Sequence, residues 1–237
     1  MVLKKPDISI VIPVYNEVDN LEPLSLSIIQ SMQGRHYEVF FVNDGSTDGS
    51  ADKLRELCKK YHHFHTISFR KNAGQTAAMD AGFQRSKGDF VVSMDADMQN
   101  DPSDIPKLLE KLQTYDMVCG WRQKRNDPWI KRISSRIANA IRNKLSWEDI
   151  KDTGCSLKAY RRECLKQIKL FNGMHRFLPT LFKMEGFTVT ETVVNHYPRR
   201  FGYSKYGISN RAVKAFIDLL VVRWMKKRKL EYEVTDD

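Results

Sequence analysis

The stretch Asp89-Phe90-Val91-Val92-Ser93-Met94-Asp95-Ala96-Asp97-Met98-Gln99 decides how the chain reads. Residues 90–94 are apolar apart from Ser93, the composition of a short buried strand. Asp95, Asp97 and Gln99 then follow at intervals of two. On a backbone that stays extended, alternation places all three side chains on one face. Two ionised carboxylates crowded together repel each other, and a hard divalent cation relieves the repulsion. An all-oxygen donor set favours Mg2+ or Mn2+ over zinc. Taken alone, Asp-x-Asp after a strand is more often an acidic turn; the segments around it reverse that reading.

Upstream, apolar runs at 8–15, 37–42 and 66–69 predict strands. Helices are predicted over 21–32, 50–61 and 75–85, the second capped by Ser50. Downstream, Asp101-Pro102 opens a helix through about residue 115, and a fifth strand follows over 116–120. This alternation predicts an α/β fold, a mostly parallel sheet wrapped by helices on both faces. Ligands of such sheets sit at the carboxyl ends of the strands. Residues 15–17, 44–48 and 95–99 all fall there, so three polar clusters share one edge and form a site. Neither G-x-G-x-x-G after the first strand nor G-x-x-x-x-G-K-[ST] occurs, which disfavours a dinucleotide or P-loop fold.

The net charge of +10 points to an anionic partner: nucleic acid, a membrane surface or a phosphorylated substrate. Cys58, Cys119, Cys155 and Cys164 form no C-x-x-C pair and read as reduced thiols in a cytosolic setting. His62, His63 and His65 have no partner set at zinc spacing and read as a solvated helix-to-strand connection. Neither a signal peptide nor an uninterrupted apolar run of about 18 residues is present, so no membrane-spanning helix is predicted.

After Trp121 the character changes. Residues 128–145 place Ile130, Ile133, Ile137 and Ile141 at helical spacing, with Lys131, Arg132, Arg136 and Arg142 between them. A turn and short strand are predicted over 152–160, an amphipathic helix over 174–184 and a final strand over 188–197. Residues 212–225 are apolar over much of their circumference, carry Trp224 and run into Lys226-Lys227-Arg228-Lys229. A helix lying in a membrane interface and a helix packed on the core fit this pattern equally. Anionic lipid attracts such a tail at about 1 kcal/mol per Lys or Arg. The expected division is a catalytic domain over 1–210 and a basic interfacial segment over 211–237. A nucleic-acid-binding role for the basic third is disfavoured, because aromatics do not interleave with the basic run, and no nucleic-acid partner is expected.

Three segments together resemble the GT-A glycosyltransferases of family 2: Ile12-Pro13-Val14-Tyr15-Asn16-Glu17, Val42-Asn43-Asp44-Gly45-Ser46-Thr47-Asp48-Gly49 and Met94-Asp95-Ala96-Asp97-Met98-Gln99. Three more are similar to the polyprenyl-phosphate sugar transferases, dolichol-phosphate mannose synthases included: Asp97-Met98-Gln99-Asn100-Asp101-Pro102, Asp152-Thr153-Gly154-Cys155 and Arg199-Arg200-Phe201-Gly202-Tyr203-Ser204-Lys205-Tyr206. The resemblance implies that Pro13, Tyr15, Glu17 and Asp44 hold the nucleotide, together with Asp95 and Asp97. It implies that Asp95, Asp97 and Gln99 hold Mg2+ or Mn2+ against the donor diphosphate. It assigns Arg122, Arg132 (with Lys131 a near-equal candidate), Arg199, Ser204 and Lys205 to the acceptor and the loop over it.

The expected reaction is inverting transfer of a hexose, mannose or glucose, from a GDP- or UDP-sugar to a dolichyl or undecaprenyl phosphate. A phosphate monoester is already anionic at neutral pH, with a second pKa of about 6, so no general base is required. Cations are needed instead, and the arginine fork suits phosphate. The alternative keeps the fold and moves sugar to a sugar or protein hydroxyl. Expected partners are the donor, the lipid acceptor and an anionic membrane surface on the cytoplasmic face. The protein is expected to bind there peripherally or through a membrane-anchoring subunit.

Overall fold

The structure, a computed structural model, describes residues 5–123, 150–199, 209–230 and 232. Strand β1 (Ile8–Val14) lies at the heart of a seven-stranded sheet. It pairs in parallel with β2 (Tyr37–Asn43) on one side and with β4 (Phe90–Ser93) on the other. Strand β3 (Phe64–Ser68) continues the sheet in parallel beyond β2. On the far side, β6 (Lys158–Arg161) runs antiparallel between β4 and β5 (Met117–Trp121), and β7 (Val189–Val193) forms the other edge, parallel to β5. The mostly parallel α/β sheet is therefore present. The antiparallel insertion of β6 was not legible, because strand order depends on contacts far apart in sequence.

Period-2 alternation sorts the strands into two cores. Ile8, Ile10, Ile12 and Val14 face helices α1 (Val18–Ser31), α2 (Ser50–Lys60) and α4 (Ile105–Lys111), alongside Val39, Phe41 and Val92. Val11, Phe40, Val42, Val91 and Tyr160 face the opposite way, toward α3 (Gln75–Arg85) and α6 (Leu178–Met184). Helix α5 (Arg162–Leu165) and the last helix, α7 (Ser209–Lys227), add to this second core, α7 through Leu219 and Val222. Near-continuous hydrophobicity along β1 follows from burial on both faces.

Several boundaries differ from expectation for local reasons. The predicted cap Ser50 is already the first helical residue; Gly49, at φ +92, precedes it. The helix opened by Asp101-Pro102 begins as a 3-10 turn over Pro102–Asp104, with Asp101 accepting from the Ser103 N–H at 2.9 Å, and α4 proper starts at Ile105. Likewise a 3-10 turn, Met174–Phe177, precedes α6. The predicted strand over 188–197 is cut to five residues, with only an isolated bridge from Asn100 to His196 beyond it. The predicted helix over 128–145 lies outside the described residues.

At the amino end of the sheet, buried Glu38 ties three segments together. Its Oε1 accepts from the Ser9 hydroxyl at 2.6 Å and from the Lys87 N–H at 2.8 Å, while Ser9 Oγ accepts from the Gly88 N–H at 2.8 Å. Residue 88 must be glycine for this approach: a Cβ there would lie 2.6 Å from the backbone of Ile8 and Ser9. Glu38→Ala leaves the Ser9 hydroxyl without its acceptor and the Lys87 amide with only its longer bond, to Ser9 Oγ at 3.1 Å. It is expected to cost about 1–3 kcal/mol in urea unfolding. A loss below 0.5 kcal/mol (the order of an ordinary surface substitution) would refute this account.

Candidate active site

Strand β4 is short, and that opens the sheet. Its pairing with β1 ends at Val11 and Ser93, so Pro13, which has no N–H to donate, stands where no strand follows on that side. Beyond this point the loops after β1, β2 and β4 gather at the carboxyl edge. Asn16, at φ +53, donates its N–H to Ser46 Oγ at 3.0 Å and accepts from the Thr47 N–H at 2.7 Å. The Glu17 N–H donates to Ser50 Oγ, and the Val18 N–H to Asp48. The first two loops are thus laced into one wall, with half-buried Tyr15 and Glu17 at its rim.

Asp44 is buried and accepts from three donors of the segment before α3: Ala73 N–H at 2.6 Å, Gly74 N–H at 2.9 Å and Asn72 Nδ2 at 2.9 Å. The turn beside it needs Gly45, at φ +70, because a Cβ would meet the Asn72 amide at 2.6 Å. Asp44 therefore ties the end of β2 to the segment before α3. The next residue along, Gln75, donates from Nε2 to Asp95 Oδ1 at 2.7 Å, joining the two acidic positions through the start of α3.

The expected one-face geometry of Asp95, Asp97 and Gln99 is corrected here. Extended structure stops at Ser93, and Met98 turns the chain at φ +60. The Gln99 N–H closes this turn on Asp97 Oδ1 at 3.2 Å, and the Gln99 carbonyl accepts from the Tyr197 N–H at 3.0 Å. Asp95 and Asp97 come close because the turn folds them together, not because a strand alternates. Asp95 keeps an accessible edge, yet burial and the Asp97 carboxylate push its pKa up to about 6. Burial also raises the Asp97 pKa, outweighing the Arg199 guanidinium beside it.

Arginines complete the site. Arg199 donates from Nη2 to Asp97 Oδ2 at 2.7 Å and from Nη1 to Glu17 Oε1 at 3.3 Å. Arg122, the first residue after β5, forks onto Asp152 through Nε at 2.7 Å and Nη2 at 2.9 Å. Burial works against the Arg122 charge, and the Asp152 carboxylate more than offsets this and raises its pKa. The positive charges of Lys158 and Arg122 both act on Asp95. Acidic centre and guanidinium groups therefore share one edge. Arg132, Lys131, Ser204 and Lys205 lie outside the described residues.

No group of three or more His, Cys, Asp and Glu side chains at metal-binding spacing occurs among the described residues. The donor set nonetheless fits a hard cation: two crowded carboxylates, one with its pKa raised to about 6, with the Gln99 amide within two residues. Gln75, Ser156, Lys158, Asp152 and His196 carried no assigned role from sequence. Only Asp152 had a signal, its place in Asp152-Thr153-Gly154-Cys155. The others are ordinary polar residues until the fold brings them to the edge.

Residues 9–169 match the family described as Glycosyl transferase family 2. The chain belongs to that family. It is 35% identical over 231 residues to the dodecaprenyl-phosphate galacturonate synthase of Rhizobium johnstonii, covering 94% of this chain and 68% of that protein. To the undecaprenyl-phosphate 4-deoxy-4-formamido-L-arabinose transferase of Edwardsiella ictaluri it is 39% identical, covering 85% and 63%. The chain thus spans about two thirds of the length of these relatives. Among solved structures, a glucosyl-3-phosphoglycerate synthase from Mycobacterium tuberculosis in complex with Mn2+, UDP and phosphoglyceric acid superposes at a TM-score of 0.72, with 17% identity over 95% of this chain and 80% of that one. A mannosyltransferase from Pyrobaculum calidifontis in complex with GDP-Man and Mn2+ gives 0.64, with 19% identity over 98% and 67%. The fold is that of the GT-A glycosyltransferases.

A raised carboxyl pKa makes a linkage prediction. Between the ordinary aspartate value and about 6, the folded metal-free protein binds more protons at Asp95 than the unfolded chain does. The Asp95 contribution to stability therefore grows as pH falls from 7 toward 5. Thermal unfolding in EDTA should show that slope, and Asp95→Asn should flatten it. Parallel slopes for the two proteins would contradict the crowding.

Proposed function

We propose that the protein transfers a sugar from a nucleotide-sugar to a polyprenyl phosphate, with inversion at the anomeric carbon. The observation that carries this reading is the meeting at one sheet edge of the Asp95–Asp97 pair with Arg122 and Arg199. Its support is the family, and two relatives whose names carry a polyprenyl phosphate and a sugar. Pro13, Tyr15, Glu17 and Asp44 line the nucleotide side of the cleft. Asp95, Asp97 and Gln99 would hold Mg2+ or Mn2+, which when bound supplies Lewis-acid stabilisation of the departing diphosphate. Arg199 adds positive charge where the diphosphate would lie.

Arg122, with Arg132, Ser204 and Lys205, receives the acceptor phosphate. Its pKa, raised by Asp152, keeps the guanidinium charged through any working pH. Guanidinium charge lessens the repulsion between two phosphate groups that must approach each other, and the anionic acceptor attacks without a base. Mannose and glucose are the first donors to test, from GDP or UDP, with galacturonate beside them. Transfer to undecaprenyl phosphate with Mn2+ is the assay. Asp97→Asn should abolish transfer and the thermal stabilisation by nucleotide with Mn2+ together. A panel of GDP- and UDP-sugars that yields no lipid-linked product would defeat the reading.

Helix α7 and residues 211–237 are the part that meets the membrane. Leu219 and Val222 are buried against the second core, while Ile217, Leu220, Val221 and Trp224 form an exposed stripe at helical spacing. Lys226, Lys227 and Arg228 follow it directly. No helix among the described residues is long and apolar enough to cross a membrane. An apolar stripe next to cations fits an anionic bilayer surface, which we place on the cytoplasmic side. Trp224→Glu and Leu220→Glu each remove a side chain whose burial is worth about 1.5–3 kcal/mol. Each should lower partitioning into phosphatidylglycerol vesicles by tenfold or more without lowering the melting temperature. Unchanged partitioning would remove α7 from the interface.

A further inference from the structure

Arg122 is only as well placed as Asp152, and Asp152 sits on a segment with no regular structure, 150–157. That segment is held from two sides. Glu191, in the middle of edge strand β7, accepts from the Lys151 N–H at both carboxylate oxygens, 3.0 and 2.9 Å, and from the Asp152 N–H at 3.0 Å. Buried Lys158 on β6 donates to the carbonyl oxygens of Thr153, at 3.1 Å, and Cys155. An anion thus fixes amides at one end and a cation fixes carbonyls further along. Between them Asp152 takes up both arms of the Arg122 fork and accepts from the Arg122 N–H at 3.2 Å.

The same segment reaches the acidic centre. Ser156 accepts from Asn100 Nδ2 at 2.7 Å and its carbonyl accepts from Ser93 Oγ at 3.0 Å, two residues before Asp95, whose raised pKa the Ser156 side chain works to lower. The separation between Arg122 and Asp95 is therefore set by one stretch of backbone. On the proposed reading, those two residues face the two phosphate groups that must meet. A misplacement of about 1 Å at such a point costs on the order of a hundredfold in rate.

We propose that Glu191 is a positioning residue of the transfer reaction: from the sheet edge it fixes the Lys151 and Asp152 amides and so aims Arg122 at the acceptor phosphate. A carboxylate suits this place because both oxygens accept, Oε1 from the Lys151 and Asp152 amides and Oε2 from the Lys151 amide, whereas a glutamine turns an NH2 group toward the Lys151 N–H. The role rests on the transferase reading, and the test separates the two.

The protein is labelled with 15N-arginine, and the Arg122 Nε–H resonance is assigned by its loss in Arg122→Lys. Farnesyl phosphate serves as a soluble acceptor probe, its affinity read by calorimetry with UDP or GDP and Mn2+ present. In Glu191→Gln the Arg122 Nε–H signal should shift and exchange faster with solvent. Farnesyl phosphate should bind about tenfold more weakly, while stabilisation by nucleotide with Mn2+ stays as in the parent protein. Lys111→Met removes a different contact to the same strand, from Lys111 Nζ to the Glu191 carbonyl at 2.8 Å, and should change neither readout. Should Glu191→Gln not fold, Glu191→Asp keeps the charge one methylene short and should show the same loss in smaller measure. A folded Glu191 variant that retains both the signal and the affinity overturns the positioning role. A parent protein that shows the Arg122 signal but binds no farnesyl phosphate overturns the transferase reading, and the role with it.

Discussion

Two carboxylates that cannot both stay comfortably ionised, Asp95 and Asp97, set the terms for the whole carboxyl edge. The turn after β4 presses them together, and the groups around them all answer the same charge. Gln75 donates to Asp95, the Gln99 amide and Arg199 donate to Asp97, and the charges of Lys158 and Arg122 act from the β5–β6 side. Burial strengthens each of these contacts by lowering the local dielectric, and for the same reason leaves the pair costly without a cation.

The sheet supplies the rigidity this arrangement needs. Cores on both faces hold β1, β2 and β4 in fixed register, so loops of only a few residues can carry Glu17, Asp44 and Asp95 to common ground. The early end of β4 and the proline in β1 belong to one solution: where a ladder partner is missing, a residue without an N–H loses nothing. The antiparallel strand β6 then brings Lys158 and the 152–156 segment against the acidic turn from the other side.

Function divides along the same axis. The side we propose for the nucleotide is built from loops that follow the parallel strands β1, β2 and β4. The β5–β6–β7 side holds Arg122 and its supports, where the proposed acceptor phosphate would meet a guanidinium. Helix α7 joins the two halves of the problem physically, with one stripe buried against the second core and another left for a surface.

How much of this was legible follows from the range of each interaction. Apolar runs of fixed period gave the five strands from 8 to 121 and helix Gln75–Arg85 to the residue, because burial on a sheet face or helix stripe is a local pattern. The three polar clusters, and with them Glu17, Asp44, Asp95 and Asp97, stood out because strand ends in such a fold share one edge, whereas Arg122 was marked by the family resemblance. The shared face of Asp95, Asp97 and Gln99 was misread, since a left-handed turn at Met98 leaves no mark in composition. Glu191 looked like one polar residue in a Thr- and Val-rich edge strand; its work is on amides about forty residues earlier. Sequence alone determined the family, the alternation of elements and the acidic and basic chemistry of the site, all of which rest on short-range patterns. Tertiary structure decided which donor meets which carboxylate, because hydrogen bonds between residues far apart along the chain exist only once the sheet has set their distance.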